Sequence, residues 1–291
     1  MPGQLTRSAI GLQPEWLRQV PERVGSKRLP HGARVLFTGC GTSFHAALAC
    51  GRAVQALDLV LGHAAEADVL VAISHEGGTR LTSEAVEAFD GETWLVTGAS
   101  ESPLARLVDN VVVATPELEQ SYCHTASYTC AIAAGRLLSG EDVSGLADAV
   151  ERELAADPLG VSEHERFLVA GAGADTATVL EAVLKLREGV HVAAEAHHTE
   201  QLLHGHLAAI DSSVRCFLLD GHGRAAERAR DVERALGELG CEVTLLPTAH
   251  PVVDIVRFQR LTVDLADARG VDPDLIRWDE GPWDRARKSY A

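Results

Sequence analysis

The chain has 291 residues, of which 46% are hydrophobic and only 4% aromatic, and its formal net charge is -16 at pH 7. This length suits one or two domains with a substantial core, filled mostly by alanine, valine and leucine. The negative charge disfavours nucleic acid and anionic membranes as partners, and no apolar run reaches the roughly 18 residues that cross a bilayer.

The cysteines of the chain indicate its redox environment, and its few lysines are candidate functional groups. The six cysteines are scattered without a C-x-x-C pair, and the chain opens without a charged and apolar leader. This usage is typical of a reduced protein, so we expect a cytoplasmic location. Only three of the 26 basic residues are lysines, Lys27, Lys185 and Lys288. An amine can lose its proton where a guanidinium cannot, which makes these lysines candidates for chemistry.

Helical and strand-like segments alternate along the chain. Residues 10–20 (IGLQPEWLRQV) predict a helix whose start is marked by Pro14. From residue 34 onward, short apolar runs alternate with amphipathic segments, which predicts parallel βα units. The predicted strands are 34–38, 68–73, 93–97 and 110–114 in the first half, and 167–171, 214–220 and 242–246 in the second.

The two halves of the chain resemble each other. Residues 35–43 (VLFTGCGTS) and 167–175 (FLVAGAGAD) both predict a strand, a G-x-G turn and the start of a helix. The repeat predicts an α/β fold of two tandem domains, each a parallel sheet flanked by helices. The expected organisation is an N-terminal helical segment (1–29), a first domain (30–140), a connecting helix (141–160), a second domain (161–268) and a C-terminal tail (269–291).

Two loops of the first half are suited to bind an anion. The first G-x-G turn leads into Gly41, Thr42 and Ser43, where hydroxyls meet the first free amides of a helix. The second strand ends in AISHEGGT (72–79), which again places hydroxyls and glycines before a helix. In a parallel sheet both loops lie at the carboxyl ends of strands, where ligands bind. Turn glycines and helix caps would also explain each loop taken alone.

The segment 180–211 carries the densest set of ionisable groups. On a helix, Glu181, Lys185 and Glu188 form one polar stripe. The stripe is either a solvated face with an ion pair, or a carboxylate base with a cation beside it, as proton abstraction next to a carbonyl requires. Four histidines follow, at 197, 198, 204 and 206, without the spacing of a zinc site, so we predict no metal.

These motifs, in this order, resemble the sugar isomerase (SIS) family, and within it the isomerase half of glucosamine-6-phosphate synthase and stand-alone phosphosugar isomerases. The matching segments are VLFTGCGTSFHAA, AISHEGGT, VLKLREG and AEAHHTEQLLHGHLAAID, together with the Gln13-Pro14 pair of the lead-in helix. The resemblance covers nearly the whole chain. It implies two tandem SIS domains without a bound cofactor, and a homodimer whose active site includes residues of the neighbouring subunit.

The resemblance also implies roles for individual residues. It assigns the proton shuttle between C1 and C2 to Glu188, a neighbouring active-site role to Lys185, and opening of the sugar ring to His204. It assigns binding of the sugar phosphate to the first domain, and imine formation with the open ketose to Lys288 of the tail. The implied binding positions are Gly41, Thr42, Ser43, Ser74, His75 and Thr79, with His124 in the neighbouring segment 116–129.

The departures from the family pattern leave the substrate open. Glu76 stands where phosphate binders have serine, and an ionised carboxylate repels phosphate and donates no hydrogen bond. Glu76 therefore points away from the ligand, binds a sugar hydroxyl, or marks a sugar without a phosphate there. No amidohydrolase segment precedes the first helix, so we expect an enzyme without a glutaminase domain.

The expected function is aldose-ketose isomerisation of a sugar phosphate, or deamination or deglycation of an amino-sugar phosphate, through an open-chain enediolate or imine. One alternative is a sensor that binds a sugar phosphate without turning it over. A second alternative is an isomerase of a sugar that lacks the usual phosphate. The expected partner is in each case a small sugar or sugar phosphate.

Overall fold

The structure is a computed structural model that describes residues 2–63 and 66–290. Its helices and strands alternate for most of the chain, as the sequence predicts. In chain order they are α1 Gln4–Val24, β1 Val35–Gly39, α2 Thr42–Cys50, β2 Ala53–Gln55, α3 Ala56–Val60, β3 Val69–Ile73, α4 Arg80–Glu87, β4 Glu92–Thr97, β5 Asn110–Val113, α5 Ala126–Leu138, α6 Leu146–Ala155, β6 Arg166–Gly171, α7 Thr176–Val190, β7 Ala193–His198, α8 Thr199–Leu202, β8 Val214–Leu219, α9 Arg224–Glu238, β9 Glu242–Leu246, α10 Pro251–Arg269 and α11 Gly281–Lys288.

The strands form two sheets, and every pairing in both sheets is parallel. The first sheet has the order β2-β1-β3-β4-β5, and the second has the order β7-β6-β8-β9. The predicted α/β class with parallel sheets and flanking helices is therefore confirmed. None of the helices in the described residues is both long and apolar enough to cross a membrane.

Two strands and one helix start differ from the predictions. The sequence analysis missed β2 and β7, which are edge strands with partly exposed residues and no long apolar run. The prediction that Pro14 starts the first helix is wrong, because α1 begins ten residues earlier and Pro14 lies inside it. A proline cannot donate to the carbonyl four residues before it. Here the side-chain amide of Gln13 donates to the Ile10 oxygen instead, at 3.0 Å.

One apolar core joins the inner faces of the two sheets. It contains Phe37 and Val71 from the first sheet, Val169 and Phe217 from the second, and Leu186 from α7. The outer face of each sheet has a separate smaller cluster. Because α7 lies in the shared core and packs against both α2 and α10, its side chains can reach the edge of the first sheet.

The segments at both ends of the chain pack against each other. Asp274 accepts hydrogen bonds from the Thr6 amide at 2.8 Å and from the Thr6 hydroxyl at 2.7 Å. The tail 269–291, for which the sequence predicts no regular structure, forms α11 over part of its length. Within the predicted connecting helix 141–160, only α6 is helical. The hydrogen bonds of Asp274 thereby hold the start of the tail against α1.

Candidate active site

A cavity of about 760 Å³ opens at the carboxyl edge of the first sheet. Its wall combines the loops that follow β1, β3 and β5 with the last residues of β4, the start of α5, Glu188 of α7 and part of the C-terminal tail. The polar lining residues are Gly41, Thr42, Ser43, Ser74, His75, Glu76, Gly78, Thr79, Thr97, Thr115, Tyr122, His124, Ser127, Tyr128, Glu188, Arg287 and Tyr290. All the binding residues predicted from the sequence therefore lie around one cavity, together with Glu188.

The loop after β1 turns the chain directly into α2. Gly41 has φ 56°, a left-handed conformation that glycine adopts without strain. Gly39 leaves no room for a side chain, since a Cβ there would lie 2.8 Å from the Ser43 carbonyl carbon. Thr42 and Ser43 follow as the first residues of the helix and line the cavity. The tight turn thus brings a helix N-terminus and two hydroxyls to the ligand space.

The loop after β3 leaves backbone amides available to an anion and carries one carboxylate that does not suit an anion. In the described residues, no hydrogen bond uses a backbone N–H of residues 76–79 as donor. Gly77 has φ 65°, and a Cβ there would fall 2.1 Å from the Ser102 oxygen. Glu76 is exposed on the cavity wall, and its carboxylate makes no hydrogen bond or ion pair with the described residues.

Two histidines form a neutral pair on the cavity wall. The rings of His75 and His124 meet edge to face, with centroids 5.3 Å apart. Burial lowers the pKa of each to about 4, so both are uncharged at neutral pH. His75 Nε2 accepts a hydrogen bond from the Glu119 amide at 2.9 Å, which leaves the proton on Nδ1. The pair offers hydrogen bonds to a ligand without adding charge.

Glu119 holds the segment that carries His124. Its carboxylate is buried and accepts four hydrogen bonds, from the amides and the hydroxyls of Thr125 and Ser127. These residues are at the N-terminus of α5, where an anion stabilises the unpaired amides. Glu119 therefore fixes the wall of the cavity, although it is not among the lining residues.

A buried ion-pair network lies behind Glu188. The Lys185 ammonium is 3.3 Å from Glu181 Oε1 and 2.7 Å from Glu188 Oε2, and its side chain is only 1% exposed. Glu181 is fully buried and also contacts His45 Nδ1 at 2.7 Å and the Thr42 hydroxyl at 3.2 Å. The polar stripe of α7 is therefore not a solvated face for Glu181 and Lys185.

The three charges in this network shift one another's ionisation. Burial lowers the pKa of Lys185, but the two carboxylates outweigh burial and keep that pKa well above its ordinary value. Burial raises the pKa of Glu188 more than the adjacent ammonium lowers it. For Glu181, Lys185 and His45 outweigh burial, and the pKa is lowered. Glu188 is thus the stronger base of the two carboxylates, and it is the one that reaches the cavity.

The tail contributes an aromatic and cationic section of the wall. Trp278 packs against Tyr122 with ring centroids 4.3 Å apart, and the Arg287 guanidinium lies over Trp278 at 4.6 Å. Lys288 is not among the cavity residues, since its ammonium donates to Asp284 at 2.7 Å on an exposed face of α11. The predicted imine-forming role of Lys288 stays a prediction.

The structure does not bring His204 to the cavity. Its side chain is 67% exposed and contacts Glu200 at 2.8 Å, beside α8 and the second sheet. The neighbouring His197 and His206 contact each other, with ring centroids 4.8 Å apart. Across residues 2–63 and 66–290, no group of three or more histidine, cysteine, aspartate or glutamate residues is arranged to hold a metal ion.

Several cavity or network residues were not singled out from the sequence. His45 follows Thr42 by one helical turn, so its position beside the same site could have been read from the spacing. Tyr128, with a buried hydroxyl that lacks a partner among the described residues, lies on α5 in an apolar run. Trp278 and Arg287 come from the C-terminal tail, for which the sequence predicts no regular structure, and they carry no sequence signal for the site.

Comparison with known proteins agrees with this fold. No family model matches the chain. In sequence, the chain is 29% identical to the isomerizing glutamine-fructose-6-phosphate aminotransferase of Aeropyrum pernix, over 84% of this chain and 50% of that protein. The corresponding protein of Pyrococcus horikoshii is 26% identical over the same shares. The chain thus spans about half the length of the curated relatives it matches.

Solved structures with the same fold cover nearly the whole chain. The C-terminal domain of glucosamine-fructose-6-phosphate aminotransferase from Francisella tularensis superposes with a TM-score of 0.78, at 18% identity, over 93% of this chain and 98% of that one. Tagatose-6-phosphate ketose/aldose isomerase from Escherichia coli gives 0.76, at 16% identity, over 94% and 97%. The chain is therefore a relative of the isomerizing aminotransferases with the fold of the phosphosugar isomerases, and its resemblance to the sugar isomerase family is confirmed.

Proposed function

We propose that the chain is a phosphosugar isomerase that interconverts an aldose and a ketose through an open-chain enediolate. The observation that carries this proposal is the position of Glu188. Its carboxylate reaches a polar cavity, while a buried ammonium lies 2.7 Å behind it. Proton transfer next to a carbonyl needs a carboxylate base with its charge controlled by the surroundings.

In the proposed reaction, Glu188 removes the proton from C2 of the open aldose. The electron pair forms the C1–C2 double bond, and the carbonyl oxygen takes the negative charge of the enediolate. The hydroxyl proton on the C2 oxygen passes to the C1 oxygen, Glu188 returns the abstracted proton to C1, and the oxygen on C2 becomes the ketose carbonyl. Lys185 holds the Glu188 carboxylate in place, and the neutral His75 and His124 supply hydrogen bonds to the sugar oxygens. The hydroxyls and amides of residues 41–43 and 74–79 bind the hydroxyl groups along the rest of the sugar chain.

Two features of the proposal concern the assembly. We assign the two parallel sheets to two tandem SIS domains, with the boundaries predicted from the sequence. We also propose a homodimer with a shared active site, in which His204 opens the sugar ring of the neighbouring copy. The high exposure of His204 and its absence from the cavity of its own chain favour this arrangement.

Three other functions remain to be separated by experiment. An amino-sugar phosphate would be deaminated or deglycated through an imine, and a sensor would bind a sugar phosphate without turnover. The exposed Glu76 specifically favours the third, an isomerase of a sugar without a phosphate at residues 74–79. Solved glucosamine-6-phosphate deaminase from Thermotoga maritima has the same fold, with a TM-score of 0.74 at 21% identity, over 94% of this chain and 97% of that one.

The decisive experiment follows, by NMR in deuterated water, exchange of the C1 protons of fructose 6-phosphate and deuterium at C2 of any aldose 6-phosphate that forms. We expect exchange with the unmodified protein. We expect none above background with Glu188→Gln, because an amide cannot take up the proton. Binding should survive in the variant, as measured by calorimetry. Exchange that persists in Glu188→Gln would exclude the proposed base, and tight binding without exchange by the unmodified protein would identify a sensor.

A further inference from the structure

The tail brings Arg287 to the cavity, and not Lys288, to which the family resemblance assigns imine formation. Arg287 lines the cavity, whereas the adjacent Lys288 pairs with Asp284 on the outer face of the same helix. The Arg287 side chain also contacts Asp284, through Nη2 at 3.1 Å, and its plane lies over Trp278. A guanidinium keeps its charge and forms no imine in place of an amine. This part of the tail therefore brings a permanent cation to the cavity.

Arg287 retains hydrogen-bond donors that no protein group uses. Its Nε is shielded from solvent and has no partner in the part of the chain that the structure describes. In the same part of the chain, Asp284 is the only recorded hydrogen-bond acceptor for the Arg287 side chain. A shielded N–H without an acceptor is unfavourable until a ligand supplies one. Two oxygens of one phosphoryl group match the spacing of guanidinium donors.

The charges around the cavity make Arg287 distinctive. Among the lining residues that the structure describes, Glu76 and Glu188 are carboxylates, His75 and His124 are neutral at pH 7, and Arg287 is the one arginine or lysine. Lys185 lies behind the wall and is shared between two carboxylates. A dianion entering the cavity meets repulsion at Glu76 and attraction at Arg287.

We infer that Arg287 is the main anion-binding residue of the cavity. Arg287 binds the phosphoryl group of the open-chain sugar, and the loop 74–79, which carries Glu76, does not. This inference rests on the proposed function for the sugar part of the ligand, but the anion site itself does not depend on turnover. It also gives Glu76 a role, since a carboxylate in the loop excludes the phosphoryl group from that side and is free to bind a sugar hydroxyl.

The test measures binding of inorganic phosphate, fructose 6-phosphate and fructose by calorimetry. Loss of a charged, two-point hydrogen bond costs roughly 10- to 100-fold in affinity. We expect that loss for phosphate and fructose 6-phosphate with Arg287→Gln, and no change for fructose. The matched control is Arg285→Gln, because Arg285 is exposed on the same helix and does not line the cavity. Unchanged phosphate affinity in Arg287→Gln, or an equal loss in Arg285→Gln, would overturn the inference.

Two further variants separate a binding role from a structural one. Arg287→Lys should recover part of the phosphate affinity, because it restores the charge without the planar fork. Glu76→Ser should raise phosphate affinity in both the unmodified and the Arg287→Gln background. A loss of fructose affinity as large as that of fructose 6-phosphate in Arg287→Gln would identify a collapsed wall and overturn the inference. Selective phosphate loss without any proton exchange in the unmodified protein would keep the anion site and reject the isomerase.

Discussion

Replacing Glu181 by glutamine tests the buried network behind the cavity. Glu181 is completely buried and contacts Lys185, His45 and Thr42. The substitution keeps the size of the side chain and removes its charge. Lys185 then has one carboxylate partner, Glu188, in place of two.

The expected loss of stability follows from these distances. At 3.3 Å, two unit charges interact by about 5 kcal/mol at an effective dielectric constant of about 20. Removing one partner of a buried pair typically costs about 3–5 kcal/mol. Because Glu188 remains beside Lys185, we expect the lower end of that range, about 3 kcal/mol. With an unfolding entropy of about 2.1 cal/mol/K per residue, this loss lowers Tm by about 5 °C.

The substitution also shifts the pH dependence of the proposed isomerisation in a defined direction. The negative charge of Glu181 contributes to the raised pKa of Glu188. In Glu181→Gln the pKa of Glu188 therefore falls, and its ionised form extends to lower pH. A base must be ionised to act, so the acidic limb of the kcat/KM profile should move to lower pH.

Urea unfolding and a pH–rate profile measure the two effects. The control is Glu84→Gln, which removes a carboxylate from an exposed ion pair with Arg80 at 2.8 Å. Exposed pairs of this kind contribute about 0.2–1 kcal/mol. If Glu181→Gln costs no more than this control, the network does not hold α7 in place, and an unmoved acidic limb would reject its coupling to Glu188.

Two other substitutions test the cavity wall and a buried acid. In Gly98→Ala, the new Cβ would lie 2.6 Å from His75 Cε1, so we expect the free energy of unfolding in urea to fall by about 1–3 kcal/mol. The control Gly78→Ala has open space around its new Cβ and should cost less. Equal losses in the two variants would mean that His75 moves freely. Burial raises the pKa of Asp254 to about 6 from 3.8. Its ionisation therefore costs the folded state about 3 kcal/mol above pH 6. The stability that the protonated form contributes is lost as the pH rises through about 6. Asparagine at this position cannot ionise and keeps an oxygen for the Ala249 amide. The stability of Asp254→Asn relative to the unmodified protein should therefore increase as the pH is raised from about 4.5 to about 7.5. A difference that does not change with pH would contradict this reasoning.

The α/β class could be predicted because local patterns specify it. Runs such as 68–73 are buried strands in the structure, and β3 spans Val69–Ile73. The edge strand β7 could not be predicted in this way. Its sequence, AAEAHH, lacks the β-branched residues of a typical strand, and it is extended because it pairs with β6 along its whole length.

Part of the candidate site could likewise be predicted from local sequence patterns, and part could not. The loops at 41–43 and 74–79 could be placed at one edge, because parallel strands bring their carboxyl ends together. The burial of Glu181 and Lys185 could not be predicted, since the helical stripe alone is compatible with a solvated face. It depends on the packing of α7 against α2, which places Thr42 and His45 over the stripe.

The sequence by itself determined the elements that depend on near neighbours: the apolar strands, the glycine turns that lead into α2 and α4, and the spacing of Lys185 and Glu188 on one helix. Only the tertiary structure decided which charges are buried and which tail residue reaches the cavity. Arg287 and Lys288 are adjacent cations that the sequence cannot tell apart. The packing of Trp278 against Tyr122 positions the tail so that α11 presents Arg287 to the cavity and Lys288 to Asp284.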